Sequence, residues 1–171
     1  MKTIILYSTH DGQTKKIAEY LAQNLDKGAK VVNLTELTQN LADFDRIIIG
    51  ASIRYGRFDK NLYKFIEKHT ALLQTKLGYF YGVNLTARKA GKDTPETNVY
   101  VRKFLAKIHW KPTDSAVFAG ALFYPRYKWI DRIMIQFIMK ITGGETDPTK
   151  EIEFTNWESV KNFAKKIQNM N

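Results

Sequence analysis

The chain has 171 residues, 44% of them hydrophobic, which is enough for one well-buried core and short for two, so we expect a single domain over residues 1–171. It contains no cysteine and only three histidines, which excludes disulfides, thiol catalysis and thiolate metal sites and predicts that there is no metal centre. The formal net charge is +10, with 12 Lys and Arg against 6 Asp and Glu in residues 86–150, a balance that suits nucleic acid, anionic lipid or an anionic substrate without choosing among them.

Apolar runs of strand length alternate with amphipathic helices along the chain. Strands are predicted over 2–8, 29–34, 45–52, 78–85 and 115–123, and helices over 14–26, over 58–73, from Thr94 onward, and from a capping box at 155–158 to about 168. Strands that are apolar throughout predict a doubly wound α/β fold with a parallel sheet covered on both faces. Because the first apolar run is too short for a signal segment or a membrane span, we expect a cytoplasmic protein.

The first loop, STHDGQT, lies between the first strand and the first helix. It consists of Ser8, Thr9, His10, Asp11, Gly12, Gln13 and Thr14. Gly12 permits a tight turn, and hydroxyls and amides at a helix N-terminus are suited to an anion. The chain has neither a P-loop lysine here nor a GxGxxG motif, which favours a phosphate monoester that stays bound over a nucleoside triphosphate or a dinucleotide. The alternative interpretation is an ordinary helix cap.

Two further loops follow the third and fourth strands. The second loop is Ser52, Ile53, Arg54, Tyr55 and Gly56, and the third is Asn84, Leu85, Thr86, Ala87 and Arg88. Both offer backbone amides and a cation, and the second adds an aromatic ring, although a packed surface loop would have the same composition. Loops at the carboxyl ends of the strands meet in one crevice. The three loops together predict flavin mononucleotide (FMN), with phosphate in the first and the ring between the other two.

Residues 124–150 form an insertion that is too long for an ordinary turn. In its helix, one stripe suits docking on the core, while Ile135 and Met139 fall outside it, on a face shared with Lys128 and Arg132. The stripe consists of Ile130, Ile133, Met134, Phe137, Ile138 and Ile141. This apolar surface leaves core packing, a partner, a substrate pocket and a seat on lipid open. The preceding FYPRYKW interleaves aromatic and cationic residues, which suits a headgroup interface or a flat, carboxylate-bearing macrocycle.

Several motifs resemble those of the flavodoxin family and, within it, of the menaquinone-dependent protoporphyrinogen IX dehydrogenases. They are GASIRYG, VNLTARK, ALFYPRY and ITGGETD, and the resemblance runs from Met1 to about Ile167. It implies a flavodoxin-like sheet of order 2-1-3-4-5 and oxidation of protoporphyrinogen IX to protoporphyrin IX in haem biosynthesis, in three two-electron cycles. FMN would be the redox centre and a membrane quinone, menaquinone or ubiquinone, the acceptor. His10 departs from the pattern, because an arginine is expected there.

On this hypothesis, charge and position make Arg54, Arg57, Arg126 and Lys128 candidates for pairing with the two propionates of the porphyrinogen. No side chain is assigned as acid or base. Thr146 and Asp147, where the insertion rejoins the fold, are further candidates for contact with the cofactor. We expect the helix at 126–141 to seat the protein on the anionic inner face of the cell membrane. We expect no nucleic acid partner, and the oligomeric state stays open.

The alternative from another class is a flavodoxin-type electron carrier without a substrate of its own. Such carriers usually present an acidic surface to basic partners, so a charge of +10 favours the enzyme. A phosphoacceptor module on the same fold would need an aspartate at the end of the third strand. Gly50 and Ala51 stand there instead, which sets that interpretation aside.

Overall fold

The computed structural model describes residues 1–170, and it contains a five-stranded parallel sheet with helices on both faces. The strands are β1 Thr3–Ser8, β2 Lys30–Asn33, β3 Arg46–Ser52, β4 Leu77–Asn84 and β5 Asp114–Ala119, in the order β2-β1-β3-β4-β5. The helices are α1 Gln13–Asn24, α2 Lys60–Leu73, α3 Val99–Lys107, α4 Trp129–Ile141 and α5 Trp157–Asn169. The predicted doubly wound α/β fold and its strand order are confirmed.

Each face of the sheet has its own hydrophobic core. On one face, Ile5 and Ile48 pack with apolar residues of α1 and α5, including Ile17 and Phe163. On the other face, Ile4, Ile47 and Phe80 belong to a cluster with residues of α2 and α3. Alternate residues of β1 and β3 therefore enter opposite cores, which is why these strands are apolar throughout.

Tyr81 of β4, for which Gly50 of β3 leaves room, positions the start of α1. The ring of Tyr81, on β4, lies against Gly50 of β3, where a Cβ would stand 1.9 Å from Tyr81 Cζ. The buried Tyr81 hydroxyl donates a hydrogen bond to the backbone oxygen of Thr14, at 3.0 Å. Burial raises the pKa of Tyr81 well above its usual value, so the hydroxyl keeps its proton. The first turn of α1 is thereby tied to the middle of the sheet.

The fifth predicted strand is two strands in the structure. β5 ends at Ala119, Gly120 follows, and β6 Ala121–Phe123 leaves the main sheet to pair antiparallel with β7 Glu151–Glu153. The prediction of one strand over 115–123 was therefore wrong. The apolar run continues through Gly120 because β6 is also buried, against the insertion.

Two predicted helix starts also differ from the structure. α3 begins at Val99, not near Thr94, because Asn98 caps it and forms a buried amide pair with Asn84. α5 is capped by Asn156, which accepts from the Ser159 amide. The Thr155 hydroxyl instead donates to the Ala119 oxygen at 2.7 Å, so it takes no part in a capping box.

The insertion helix is present, but the face predicted to dock on the core is exposed. Ile135 and Met139 are the buried residues of α4, and they pack on Leu122 and Tyr124. The predicted docking stripe is exposed, with Phe137 61% and Ile141 69% accessible. Periodicity identifies an apolar stripe, but it does not say which of two apolar faces meets the protein.

We predict that Gly50→Ala lowers the free energy of unfolding by about 2 kcal/mol, because the new methyl group overlaps the Tyr81 ring. Chemical denaturation of the protein without added ligand measures this change. In a Tyr81→Ala background the same methyl group finds space, so its additional cost there is smaller. Equal costs in the two backgrounds would contradict the steric explanation.

Candidate active site

Two adjoining cavities open at the carboxyl ends of the strands. A small cavity of about 50 Å³ lies at the first loop, and a larger one of about 610 Å³ lies between the second and third loops and α4. Both are lined by Asp11, Ile53, Asn84, Leu85 and Ala121. The three loops that the sequence predicted to converge therefore face one crevice.

The first loop presents the N-terminus of α1 to the small cavity. Gly12 adopts φ +97°, a conformation that favours glycine, and its amide donates to Thr9 Oγ1 at 2.9 Å. No side chain caps α1, so the amides of its first turn lack a partner within the helix. Such amides, at the positive end of the helix dipole, favour an anion.

Thr14 provides a second, independent indication that the small cavity binds a ligand. Its hydroxyl is fully buried, lines the small cavity and has no hydrogen-bond partner within residues 1–170. A buried hydroxyl without a partner costs about 1–3 kcal/mol, which a phosphate oxygen arriving from outside would recover. The small cavity therefore fits the phosphate group of FMN.

The second loop makes a tight turn beside the large cavity. Arg54 and Arg57 exchange backbone hydrogen bonds of 3.0 and 3.1 Å, while Tyr55 and Gly56 between them adopt φ values of +52° and +74°. This is the sign pattern of a type I′ turn, which asparagine and glycine usually fill. A tyrosine in this conformation costs about 1–2 kcal/mol. The turn holds the Tyr55 ring at the cavity.

An ionic network ties this turn to the first loop and to the insertion. Arg54 pairs with Asp11 of the first loop and, at 3.7 Å, with Asp131 of α4. The Tyr55 hydroxyl donates to Asp131 as well. Partial burial and the Asp131 carboxylate raise the pKa of Tyr55 to about 12, so the hydroxyl remains a donor at neutral pH. The Arg54 guanidinium also lies over the Tyr127 ring, 5.2 Å from its centroid.

His10 links the first two loops a second time. Its Nδ1 lies 2.8 Å from Ser52 Oγ. Partial burial, and then the charge of Arg54, hold the pKa of His10 below its usual value, so the ring is neutral at pH 7. The position where a cation was expected therefore makes a neutral hydrogen bond between loops.

The third loop is held from within. Asn84 accepts from the Ala87 amide at 3.0 Å, and its side chain also pairs with Asn98, so these contacts hold the loop in place. Leu85 and Thr86 line the large cavity. The side chain of Ala87 is buried in the core, and Arg88 folds back to donate to the Leu85 oxygen at 2.7 Å.

The insertion forms the outer wall of the large cavity. Met134 and Ile138 of α4 line it together with Ile135 and Met139. Tyr100 and Tyr127 also line it, and neither they nor Asp131 were predicted as site residues. Tyr127 belongs to the FYPRYKW stretch, whose interleaved aromatic and cationic residues suggested a macrocycle, whereas no local pattern identifies Tyr100 or Asp131.

Most of the remaining predicted residues lie away from the two cavities. Gln13 donates to Glu153 and Thr155, so its side chain serves the return strand β7 although it borders the small cavity. The structure does not bring the others to either cavity wall: Ser8, Gly12, Arg57, Arg126, Lys128 and Asp147. Of these, Arg126 pairs with Glu151 at 2.9 Å, and the Asp147 carboxylate accepts from the amide and hydroxyl of Thr149. Their roles in binding stay predictions.

Residues 4–149 match the family model described as a flavodoxin domain. The chain belongs to this flavodoxin-domain family. The domain points to FMN as the cofactor, in agreement with the fit of the small cavity to a phosphate.

Curated relatives that carry the name protoporphyrinogen IX dehydrogenase (quinone) match this chain, among them one from a bacterium and one from a protozoan. The Escherichia coli K12 protein is 50% identical over 174 residues, covering 99% of this chain and 96% of its own. The Leishmania major protein is 48% identical over 168 residues, covering 95% of this chain and 73% of its own. Among solved structures, oxidised flavodoxin 2 from Bacillus cereus aligns over 100% of both chains with a TM-score of 0.58 and 17% identity, which supports the fold alone.

We predict that Thr14→Val weakens FMN binding at least about ten-fold, because the valine cannot donate to the phosphate. The FMN-free variant should unfold at the same or higher denaturant concentration, since an unpartnered buried hydroxyl is lost. Quenching of flavin fluorescence measures the first effect and denaturation the second. Thr70→Val, on α2, is the matched control for FMN binding. Unchanged affinity in Thr14→Val would contradict this assignment.

We predict that Asp131→Ala loosens the insertion helix and the second loop together, because both the Tyr55 hydrogen bond and the Arg54 ion pair are lost. Amide hydrogen exchange over 53–57 and 129–141 should quicken about five-fold, the equivalent of about 1 kcal/mol. Asp93→Ala removes the same charge from an exposed position and should leave both segments unchanged. Exchange in Asp131→Ala as slow as in wild type would contradict this prediction and would mean that the packing of Ile135 and Met139 is enough to hold α4.

Proposed function

We propose that this chain is a quinone-dependent protoporphyrinogen IX dehydrogenase that uses FMN. In the overall reaction one protoporphyrinogen IX loses six electrons and six protons to become protoporphyrin IX, and three quinones become three quinols. The observation that carries the proposal is the 50% identity, over 99% of this chain, to a relative of that name, combined with a crevice large enough for a flavin ring and a second ligand.

The chain's own residues divide the crevice into a phosphate end and a ring end. Thr9 and Thr14 line the phosphate end at the start of α1, and the backbone amides of the first turn of α1 are the main donors to the phosphate. Residues 53–56 of the second loop and Leu85 and Thr86 of the third line the ring end. FMN, when bound, supplies the two-electron chemistry, and the protein orients it and excludes water. The α4 wall closes the side of the crevice that the sheet leaves open.

The exposed stripe of α4 supports a seat on an anionic membrane surface. Trp129, Ile133, Phe137 and Ile141 are each more than half exposed, and Lys128, Arg132 and Lys140 accompany them on the helix or beside it. An apolar face with flanking cations suits the boundary between headgroups and acyl chains. None of the helices within residues 1–170 has the length and hydropathy needed to cross a bilayer. A peripheral seat on the inner face of the membrane would place the crevice beside a lipid-soluble quinone, for which we propose menaquinone.

The activity is tested on purified protein reconstituted with FMN. Without oxygen, protoporphyrinogen IX and a quinone should give the fluorescence of protoporphyrin IX, while omission of either FMN or quinone should abolish it. Menaquinone and ubiquinone are compared in the same vesicles. Bound FMN without turnover, together with electron transfer only from an added reductase, would instead identify a flavodoxin-type carrier.

We predict that Ile133→Ser combined with Phe137→Ser lowers binding to vesicles containing anionic lipid at least about ten-fold, because both side chains lose their apolar contact with lipid. Turnover with a water-soluble quinone should be unchanged, while turnover with a vesicle-embedded quinone falls. Glu67→Ser with Lys68→Ser, on the exposed surface of α2, is the control that keeps the net charge. Retained vesicle binding in the α4 variant would contradict the membrane seat. Sedimentation with vesicles measures this binding.

A further inference from the structure

The cations of the large cavity differ in whether a carboxylate neutralises them. Arg54, Arg88 and Lys89 line this cavity. Arg54 is paired with both Asp11 and Asp131. Among residues 1–170, no carboxylate lies within ion-pair distance of Arg88 or Lys89. Two positive charges therefore face the cavity without a protein counter-ion, and Arg88 is the less exposed of the two.

Neutral contacts hold Arg88 in place. Its Nη1 donates to the Leu85 oxygen at 2.7 Å, and its Nη2 lies 3.4 Å from Thr142 Oγ1. A Cβ on Gly144 would stand 3.0 Å from Nη2, so a glycine leaves room for this side chain. Burial lowers the pKa of Arg88, but a guanidinium stays charged at neutral pH. A guanidinium has five N–H donors, so donors remain for a ligand.

Arg88 lies at the end of the cavity away from the phosphate loop. The Asp11–Arg54–Asp131 network marks the near end, at the start of α4, and Thr142 follows the last turn of α4 at the far end. Asp131 and Thr142 are eleven positions apart, which along an α-helix is a rise of roughly 16 Å. Met134 and Ile138 line the cavity between these ends. The cavity therefore has an apolar middle and an unneutralised positive charge at its far end.

We propose that Arg88 binds a propionate carboxylate of the porphyrinogen. This inference rests on the proposed function and names the residue that recognises the acidic edge of the substrate. A planar guanidinium suits a carboxylate because it donates two parallel hydrogen bonds, and partial removal from water strengthens the pair. The apolar middle of the cavity accommodates the tetrapyrrole body. Arg126, which charge and position suggested for this role, is already paired with Glu151.

A purely structural role for Arg88 predicts different results. Its hydrogen bond to Leu85 and its contact with Thr142 would make it a clamp between the third loop and the end of α4. Loss of a clamp would impair every ligand and lower stability. Loss of a carboxylate partner would impair only ligands that carry the carboxylate. A neutral ester of the same substrate separates the two roles.

The test compares Arg88→Gln, Arg88→Lys and wild-type protein, each loaded with FMN, on protoporphyrinogen IX and on its dimethyl ester in the same detergent. We expect Arg88→Gln to raise KM for the diacid about ten-fold or more and to leave KM for the ester within about two-fold. Arg88→Lys should recover part of the loss, because it keeps the charge without the planar fork. Arg102→Gln, an exposed guanidinium on α3 that donates to the Glu96 oxygen, is the matched control.

Binding of protoporphyrin IX and its dimethyl ester, followed by porphyrin fluorescence, gives a readout that needs no turnover. Arg88→Gln should weaken binding of the diacid and not of the ester, with unchanged FMN affinity. Equal losses for diacid and ester, or a loss of FMN affinity in proportion, would overturn the inference. If wild-type protein binds the diacid through Arg88 but oxidises neither substrate, the proposed function fails and the carboxylate site stands.

Discussion

The order of the strands is the constraint on which the site depends. Since β1 lies between β2 and β3, and β4 follows β3, the carboxyl ends of β1, β3 and β4 stand side by side. The register aligns these ends, with Ser8 beside Ala51 and Ser52 beside Val83. The loops that follow these strands therefore surround one crevice. Each loop alone is only weak evidence for a binding site, but together the three loops form a single site.

The insertion completes that site, because its helix α4 forms the outer wall of the large cavity. Its helix is held by a small core around Ile135 and Met139 and by charged and polar contacts of Asp131. Part of its remaining surface faces the cavity, and the rest faces outward. One helix therefore serves as both an inner wall and an outer apolar surface, which explains why it is richer in apolar residues than docking on the core requires.

The sequence allowed the parallel sheet and the three loops to be predicted, because long apolar runs and loop chemistry are local signals, whereas the strand order was predicted from the resemblance to the flavodoxin family. The docking face of α4 was predicted wrongly because both of its faces carry apolar residues. The break at Gly120 was missed because the strands before and after it are both buried. The hydrogen bond between Tyr55 and Asp131 joins residues that lie 76 positions apart, and no sequence pattern near either residue predicts it. The single-domain interpretation stays a prediction.

The return strand β7 makes the insertion inseparable from the start of the chain. The Glu153 carboxylate accepts from Gln13 Nε2 at 3.0 Å and from Lys16 Nζ at 2.6 Å, both on the helix that opens at the phosphate loop. A version of this protein without β7 would lose the Glu153 acceptor of the buried Gln13 amide, at a cost of about 1–3 kcal/mol, and would leave Thr155 as its other acceptor. Transplanting the insertion into another protein of the same fold would therefore also require replacing residues in the first turn of the recipient's first helix.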